Sequence, residues 1–554
     1  LLLNGLSARV DAEGNLGFDA DAVIGAHGDT VPHSAEATST VLIYGAGTGT
    51  GDDTIAEDTT WVGTLRQGAS EPATIEIGEG RSLAAKKFEI ESVGKDLILG
   101  AAGDAGMIRY PIERSDANQY TFEFNNRNPD SEIRLNAAVP EIQFMNVCVG
   151  KVKMTDAKKN LGQVCVAKGT GNAATLVLDD ADIELTSWPL MVGYGEALSG
   201  SAQLQADNTI AGRMVITNSR VCTSALTQTA YTKGYHYALS VGHNAQGVLE
   251  IQEGAVLTNK LMMGGTISHA GDSAFNAGGG WAAVRQTGGS VGIIGATSAP
   301  HTSSCIGMGT SSQGYYEFDG GTFAALGVFS IGGYGTGLWH QFGGTAKFEK
   351  NLASPNTTLE YFVASGNGGA GFIYLADGTM DFCDNYFTFV GGSLPGQNRG
   401  VLSVTGPDSF LDVHARPVNS FNVGVVGITG LVSVVRGGTI RTAGFHKRCG
   451  LDESPLHISF DEGTLRAGDA NRDVFCYNGE ATNGVSSVVI YAGGATIDTD
   501  GQTGTGAPTG RASRRFRSTW RPCRRTASVR RPSGSAATAS ARRPMRSSTS
   551  TRGR

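Results

Sequence analysis

No run of eighteen apolar residues occurs anywhere in this 554-residue chain, so no helix is expected to cross a bilayer. Charge is also sparse: Asp, Glu, Lys and Arg make up 17%, against about 25% in ordinary globular domains. That leaves little material for the solvated faces of amphipathic helices. No stretch shows convincing helical periodicity, which excludes the crossover helices of a βαβ fold. No C-x-x-C pair is present. The eight cysteines (Cys148, Cys165, Cys222, Cys305, Cys383, Cys449, Cys476, Cys523) are scattered, so neither a zinc site nor a dense disulfide framework is indicated. Each reads as an isolated thiol buried in a β core. No metal or cofactor is expected.

What is abundant is glycine, 80 residues, together with a 40% hydrophobic content that alternates with polar residues in short runs. Alternation of this kind gives half-buried strands, and glycines between the runs permit sharp turns. A chain this long ordinarily splits into several domains, but stacked repeats escape that limit because each packs only on its neighbours.

Repeats are visible. Four copies of one phrase read LSVGHNAQGVLEIQEG (239–254), CIGMGTSSQGYYEFDGGT (305–322), FSIGGYGTGLWHQFGGT (329–345) and FNVGVVGITGLVSVVRGGT (421–439). An apolar pair ends in Gly, a turn follows, then an alternating run closes on Gly-Gly-Thr or a variant. The opening and closing glycines are Gly242 and Gly254, Gly307 and Gly320, Gly332 and Gly343, and Gly424 and Gly437. Their spacing is nearly constant. Further closing turns stand at 264–266, 288–290, 391–393, 463–464 and 493–494. The separations between turns suggest about 25 residues per coil, and roughly eighteen coils at about 4.8 Å each would extend on the order of 90 Å. The fold expected is all-β, a parallel β-solenoid over 40–501. Residues 1–39 form a leader or capping segment and 502–554 a disordered basic tail.

The L-x-[VI]-G…G-x-L-x-x-x-G-G-T pattern over 193–501 resembles the repeats of bacterial autotransporter passenger domains and related surface β-helix proteins. The resemblance implies a right-handed parallel β-helix and export to the cell surface or beyond, and it carries no catalytic residues. The chain departs from the full family plan in lacking a C-terminal translocator barrel. Leu1, Leu2 and Leu3, followed by Gly5, Ser7 and Ala8, read either as the end of a signal peptide or as a fragment boundary.

Candidate chemistry is fragmentary. The segment around His27, Asp29 and Pro32 resembles the H-x-D-x-V-P segment of di-zinc exopeptidases, but the further carboxylates and second His of such a site do not follow. The strand-like run 39–44 leads into Gly45, Gly47, Gly49 and Gly51. Here Thr50 replaces the third fingerprint glycine, and Asp52, Asp53, Glu57 and Asp58 place negative charge where a pyrophosphate would sit. A β turn is the better reading. Three acidic or polar groups are candidates for carbohydrate chemistry: Asp377, Asp381 and Asp384; Asp179, Asp180 and Asp182; and His446, Lys447, Arg448, Asp452 and Glu453. Coil stacking brings acids to about 5 Å almost automatically, so solvated outer-face charge is favoured, with sugar chemistry and cation binding behind it. Tyr315, Tyr316, Phe318, Trp339, Phe342, Tyr386 and Phe387 line either the core or a sugar-stacking stripe. Asn356-Thr357-Thr358 is a lone glycosylation sequon.

Charge divides unevenly. Residues 511–554 hold fourteen Arg with no Lys and no acid, so against a net charge of −7 the remainder carries −21. Two origins of the tail stand, a translation product of GC-rich DNA in another frame or a basic arm, and the abrupt break favours the first. The acidic body argues against nucleic acid as a partner. The function expected is a secreted or cell-surface, structural or adhesive role toward an extracellular surface or polysaccharide, without catalysis. The alternative is a polysaccharide lyase or glycoside hydrolase.

Overall fold

A computed structural model describes residues 9–10, 16–19, 40–44, 51–55, 59–68, 72–77, 82–100, 106–109, 121–156, 159–169, 171–185, 189–195, 207–223, 239–265, 279–293, 304–326, 329–349, 360–363, 369–382, 386–389, 398–413, 421–423, 429–442, 444–447, 455–468 and 485–498. Among them every regular element is a strand. Apart from the antiparallel contact of Arg9–Val10 with Leu16–Asp19, every pairing between strands is parallel. The 502–554 tail, the 391–393 turn, His27, Asp29, Glu57, Asp58, Asn356, Asp384, Arg448, Asp452, Glu453, Cys383, Cys449, Cys476 and Cys523 lie outside the described residues.

Strands succeed one another in a cycle of three faces. Face A includes Ala211–Thr217, Gln246–Ile251, Trp281–Gln286 and Gln313–Phe318, each paired in register with the next. Face B follows with Ser219–Cys222, Gly254–Thr258, Ser290–Ile293 and Thr322–Leu326. Face C closes the cycle with Leu239–His243, Leu261–Gly265, Ser304–Ile306 and Phe329–Ile331. The parallel strands thus form a closed ring around one interior, an arrangement compatible with a β-helix-like fold. A single hydrophobic cluster runs inside it from Leu65 to Leu465.

The alternation read from the sequence decides which side chains enter. In Gln313–Phe318 the inward set is Gly314, Tyr316 and Phe318, and the burial pattern alternates accordingly. Tyr316 stacks on Trp339 of the next coil at 4.6 Å, Phe323 meets Trp339 edge-on at 4.9 Å, and Phe348 stacks on Phe382 at 4.7 Å. Face C departs from alternation: Leu239–His243 and Leu261–Gly265 are buried on both sides. Met262, Cys305 and Met308 make a second, smaller cluster there. A strand buried on both faces needs a continuous apolar run, which explains the apolar pair that opens each repeated phrase.

The Gly-Gly-Thr turns that close 305–322, 329–345 and 421–439 are corners between face A and face B, whereas Gly264 and Gly265, expected to form another such turn, end the face C strand Leu261–Gly265. Gly320 and Gly321 connect Gln313–Phe318 to Thr322–Leu326, and Gly437 and Gly438 connect Thr429–Val435 to Thr439–Thr442. Coil length is not the constant value that the turn spacing suggests. Ala211 lies above Ala173, whereas Thr336 lies above Gln313, so the first of these coils is much the longer. The A-to-B corners stay short, and the variation falls at the other two.

Candidate functional site

The candidate side chains read from the sequence do not converge. Asp179 binds Lys153 at 2.8 Å and Asp182 binds Arg220 at 2.8 Å, each pair joining adjacent coils. Asp180, with φ of 56°, is a turn residue whose N–H donates to Thr217 O. Asp377 sits at an A-to-B corner and accepts a hydrogen bond from the Gly378 N–H. Asp381 lies on face B between Lys347 and Asp412, in a row continued by Arg441. Asp412 is buried and pairs with Arg441 at 3.6 Å. His446 and Lys447 fall in the strand Phe445–Lys447 and Asp52 and Asp53 in Gly51–Ile55. A strand, not a helix, therefore follows the glycine-rich segment.

The aromatics separate cleanly. Tyr316, Phe318 and Trp339 are fully buried, whereas Phe342 is 41% exposed. Tyr386 and Phe387 belong to the strand Tyr386–Phe389. Sequence reasoning missed Trp281, 50% exposed, and Tyr374, 37% exposed. The signal was present: both occupy outward positions in alternating runs, but the coil register is needed to place Trp281 beside Gln313 and Tyr374 beside His340.

That register assembles a patch on the outer side of face A. Glu317, His340 and Tyr374 stand in one row on three successive coils, with Tyr315, Leu338 and Phe372 in the row beside it. The Tyr315 hydroxyl donates to Glu317 Oε2 at 2.7 Å and lies 3.3 Å from His340 Nδ1. The centroid of the His340 ring rests 3.7 Å from that of Phe342 and 4.6 Å from that of Tyr374. Arg285 is held by Glu317 at 2.8 Å and Asp319 at 3.2 Å. Beside it opens a polar groove of about 430 Å³ lined by Thr217, Glu250, Gln252, Glu253, Arg285 and Thr287.

Electrostatics define what this patch can do. Burial, and then the hydrogen bond to Glu317, raise the Tyr315 pKa and keep the phenol protonated. Burial lowers the His340 pKa, outweighing the attraction of Glu317 and Asp319, so the imidazole is neutral near pH 7. The carboxylates raise the Arg285 pKa, through the Asp319 hydrogen bond first. The result is an aromatic platform edged by fixed donors and acceptors.

No family model, curated protein or solved structure matches this chain. The described residues contain no group of three or more side chains placed to hold a metal ion, and no helix long and apolar enough to cross a membrane.

Proposed function

We propose that the chain is a right-handed parallel β-helix of the autotransporter-passenger kind, secreted or displayed on a bacterial surface, with a structural and adhesive role. Residues 40–501 are the repeat body, 1–39 its leader or cap, and 502–554 a tail foreign to it. The observation that carries this reading is the outer surface. Several of its charges are paired from coil to coil, as in Arg213 with Glu250, Lys153 with Asp179 and Arg466 with Asp498. Ion pairs spent on neighbours leave an extended face suited to many weak contacts. Its partner is an extracellular surface or polysaccharide.

A carbohydrate-active enzyme is the second reading, favoured by Glu317 and Asp319 beside Arg285 at the edge of a groove. Three features oppose it. Arg285 is already paired with both acids, Tyr315 is held protonated and is a poor base, and Asp377 and Asp381 lie on different parts of the surface.

Incubation of the purified chain with neutral and anionic polysaccharides, read for reducing ends and for unsaturated products, tests the choice. No turnover is expected. Cleavage that disappears in Asp377→Asn, Asp381→Asn or Glu317→Gln establishes the enzyme instead.

A further inference from the structure

Outward positions of face A change character along the stack. Up to the coil of Gln313–Phe318 they carry paired charge: Arg213 with Glu250, and Arg285 with Glu317 and Asp319. From the next coil onward the two central outward rows hold Leu338, Phe372, Val401, Leu431 and His457 in one, and His340, Tyr374, Ser403, Ser433 and Ser459 in the other. Neither row contains an Asp, Glu, Lys or Arg over these five coils. The flanking row at the strand starts, Thr336, Ala370, Arg399 and Thr429, adds a single cation. Leu431 is 42% exposed, and Phe342 stands beside the rows at the corner, in register with Asp377.

A strip without charge in its central rows, which sets apolar or aromatic groups beside hydroxyl groups and ends against fixed carboxylates, has a definite ligand preference. Pyranose rings present apolar C–H faces, which pack on Phe342, Tyr374 and His340, and hydroxyl edges. Those edges donate to Glu317, Asp319 and Asp377 and exchange hydrogen bonds with the serines. Coils repeat at about 4.8 Å, comparable with the length of one sugar unit, so a linear chain lying along the stack meets a similar set of contacts at each step. Glu250, Glu317 and Asp319 outnumber the cations Arg213 and Arg285 at the charged end, and Asp377 offsets Arg399 along the strip, which disfavours an anionic polymer or a nucleic acid.

We infer that the outer side of face A, from Trp281 and Arg285 to Ser459, is a binding surface for a neutral linear polysaccharide, with Phe342 and Tyr374 as its stacking platform. This rests on the adhesive reading and narrows its partner.

Affinity electrophoresis in native gels tests it, using the full chain and hydroxyethyl cellulose, galactomannan, arabinoxylan and, as the anionic probe, polygalacturonate. Retardation by at least one neutral polymer and none by polygalacturonate is expected. Phe342→Ser and Tyr374→Ser should each raise the dissociation constant about tenfold and together abolish retardation. Thermal melting of each variant checks that these exposed substitutions leave the fold intact, and Tyr491→Ser, off this strip, should bind like the unaltered chain. Retardation undiminished in the folded double variant overturns this site and leaves polysaccharide adhesion standing. Retardation by polygalacturonate alone overturns the neutral ligand. Failure with all four polymers overturns both this inference and the polysaccharide partner. Reducing ends released during binding overturn the non-catalytic reading, while the double variant still decides the location.

Discussion

His243 shows how burial at one position makes the whole chain sensitive to acid. It lies in Leu239–His243, 2% exposed, with its ring stacked on Tyr194 at 5.0 Å. Burial lowers its pKa from 6.5 to about 4. Between those values the unfolded chain binds a proton that the folded chain refuses. The stability associated with neutral His243 is therefore complete above pH 6.5 and declines as pH falls toward 4, by about 2 kcal/mol at pH 5. Urea denaturation at pH 7.5 and pH 5 should show a smaller loss in His243→Gln than in the unaltered chain. Equal losses reject the assignment. Some polar side chains of the core are satisfied by hydrogen bonds: Trp339 Nε1 donates to Gln341 Oε1 at 3.2 Å, and Gln341 Nε2 donates to Thr379 O at 3.0 Å on the next coil. Gln286 plays the same part for the Tyr316 hydroxyl, which donates to its Oε1 at 2.8 Å.

Corners between strands place the strictest demand on sequence at the scale of the element. Gly321 has φ of 82°, and a Cβ there would lie 2.2 Å from Gly289 O of the preceding coil. Gly171 has φ of 78°, yet nothing stands within 4 Å of its added Cβ. Substitution by alanine thus separates two costs. Gly171→Ala carries only the left-handed backbone penalty, about 1 kcal/mol, whereas Gly321→Ala adds a backbone clash and should cost about 3 kcal/mol or more. Thermal or urea melts of the two variants give the comparison, and equal losses would show that close stacking of the corners contributes nothing. The ion pairs between coils are weaker devices. Arg213 and Glu250 join through two hydrogen bonds of 2.8 and 3.0 Å, but both are solvent-accessible, so Glu250→Gln should cost under about 1 kcal/mol.

Across the whole molecule, the described residues visit face A sixteen times between Gly51–Ile55 and Ser487–Ile490. In the β-helix proposed above, about 4.8 Å per coil would give a stack of roughly 75 Å. This is shorter than the turn spacing implies, because insertions at two corners lengthen a coil without adding rise. Small-angle scattering of the full chain should show the intermediate-angle regime of a rod, and a compact, near-spherical profile would reject the β-helix. The last described coil exposes Val488, Val489, Tyr491 and Ile497 at 36 to 56%, so the apolar interior is least covered at that end. Hydrogen exchange should accordingly be fastest in Ser487–Ile490 and Ala495–Asp498 and slowest around Trp339.

Strand content, the parallel repeat and the glycine corners are legible in the sequence by itself, since a period of two and a positive φ are properties of neighbouring residues. So is the burial of Cys165, Cys222 and Cys305, which follows from their place in apolar runs, although Cys148 is only half-buried. The candidate site is decided by tertiary structure alone. Whether Tyr315 or Tyr316 faces outward depends on the phase of one strand, and whether His340 stands between Glu317 and Tyr374 depends on the register of three. Unequal coils set that register, long from Ala173 to Ala211 and short from Gln313 to Thr336, and no local rule specifies the insertions responsible. Asp179 and Asp182 illustrate the same limit: close in sequence, they read as one acidic cluster. Stacking instead assigns them to Lys153 on the coil before and Arg220 on the coil after, because in a parallel stack the nearest charged partners come from neighbouring coils.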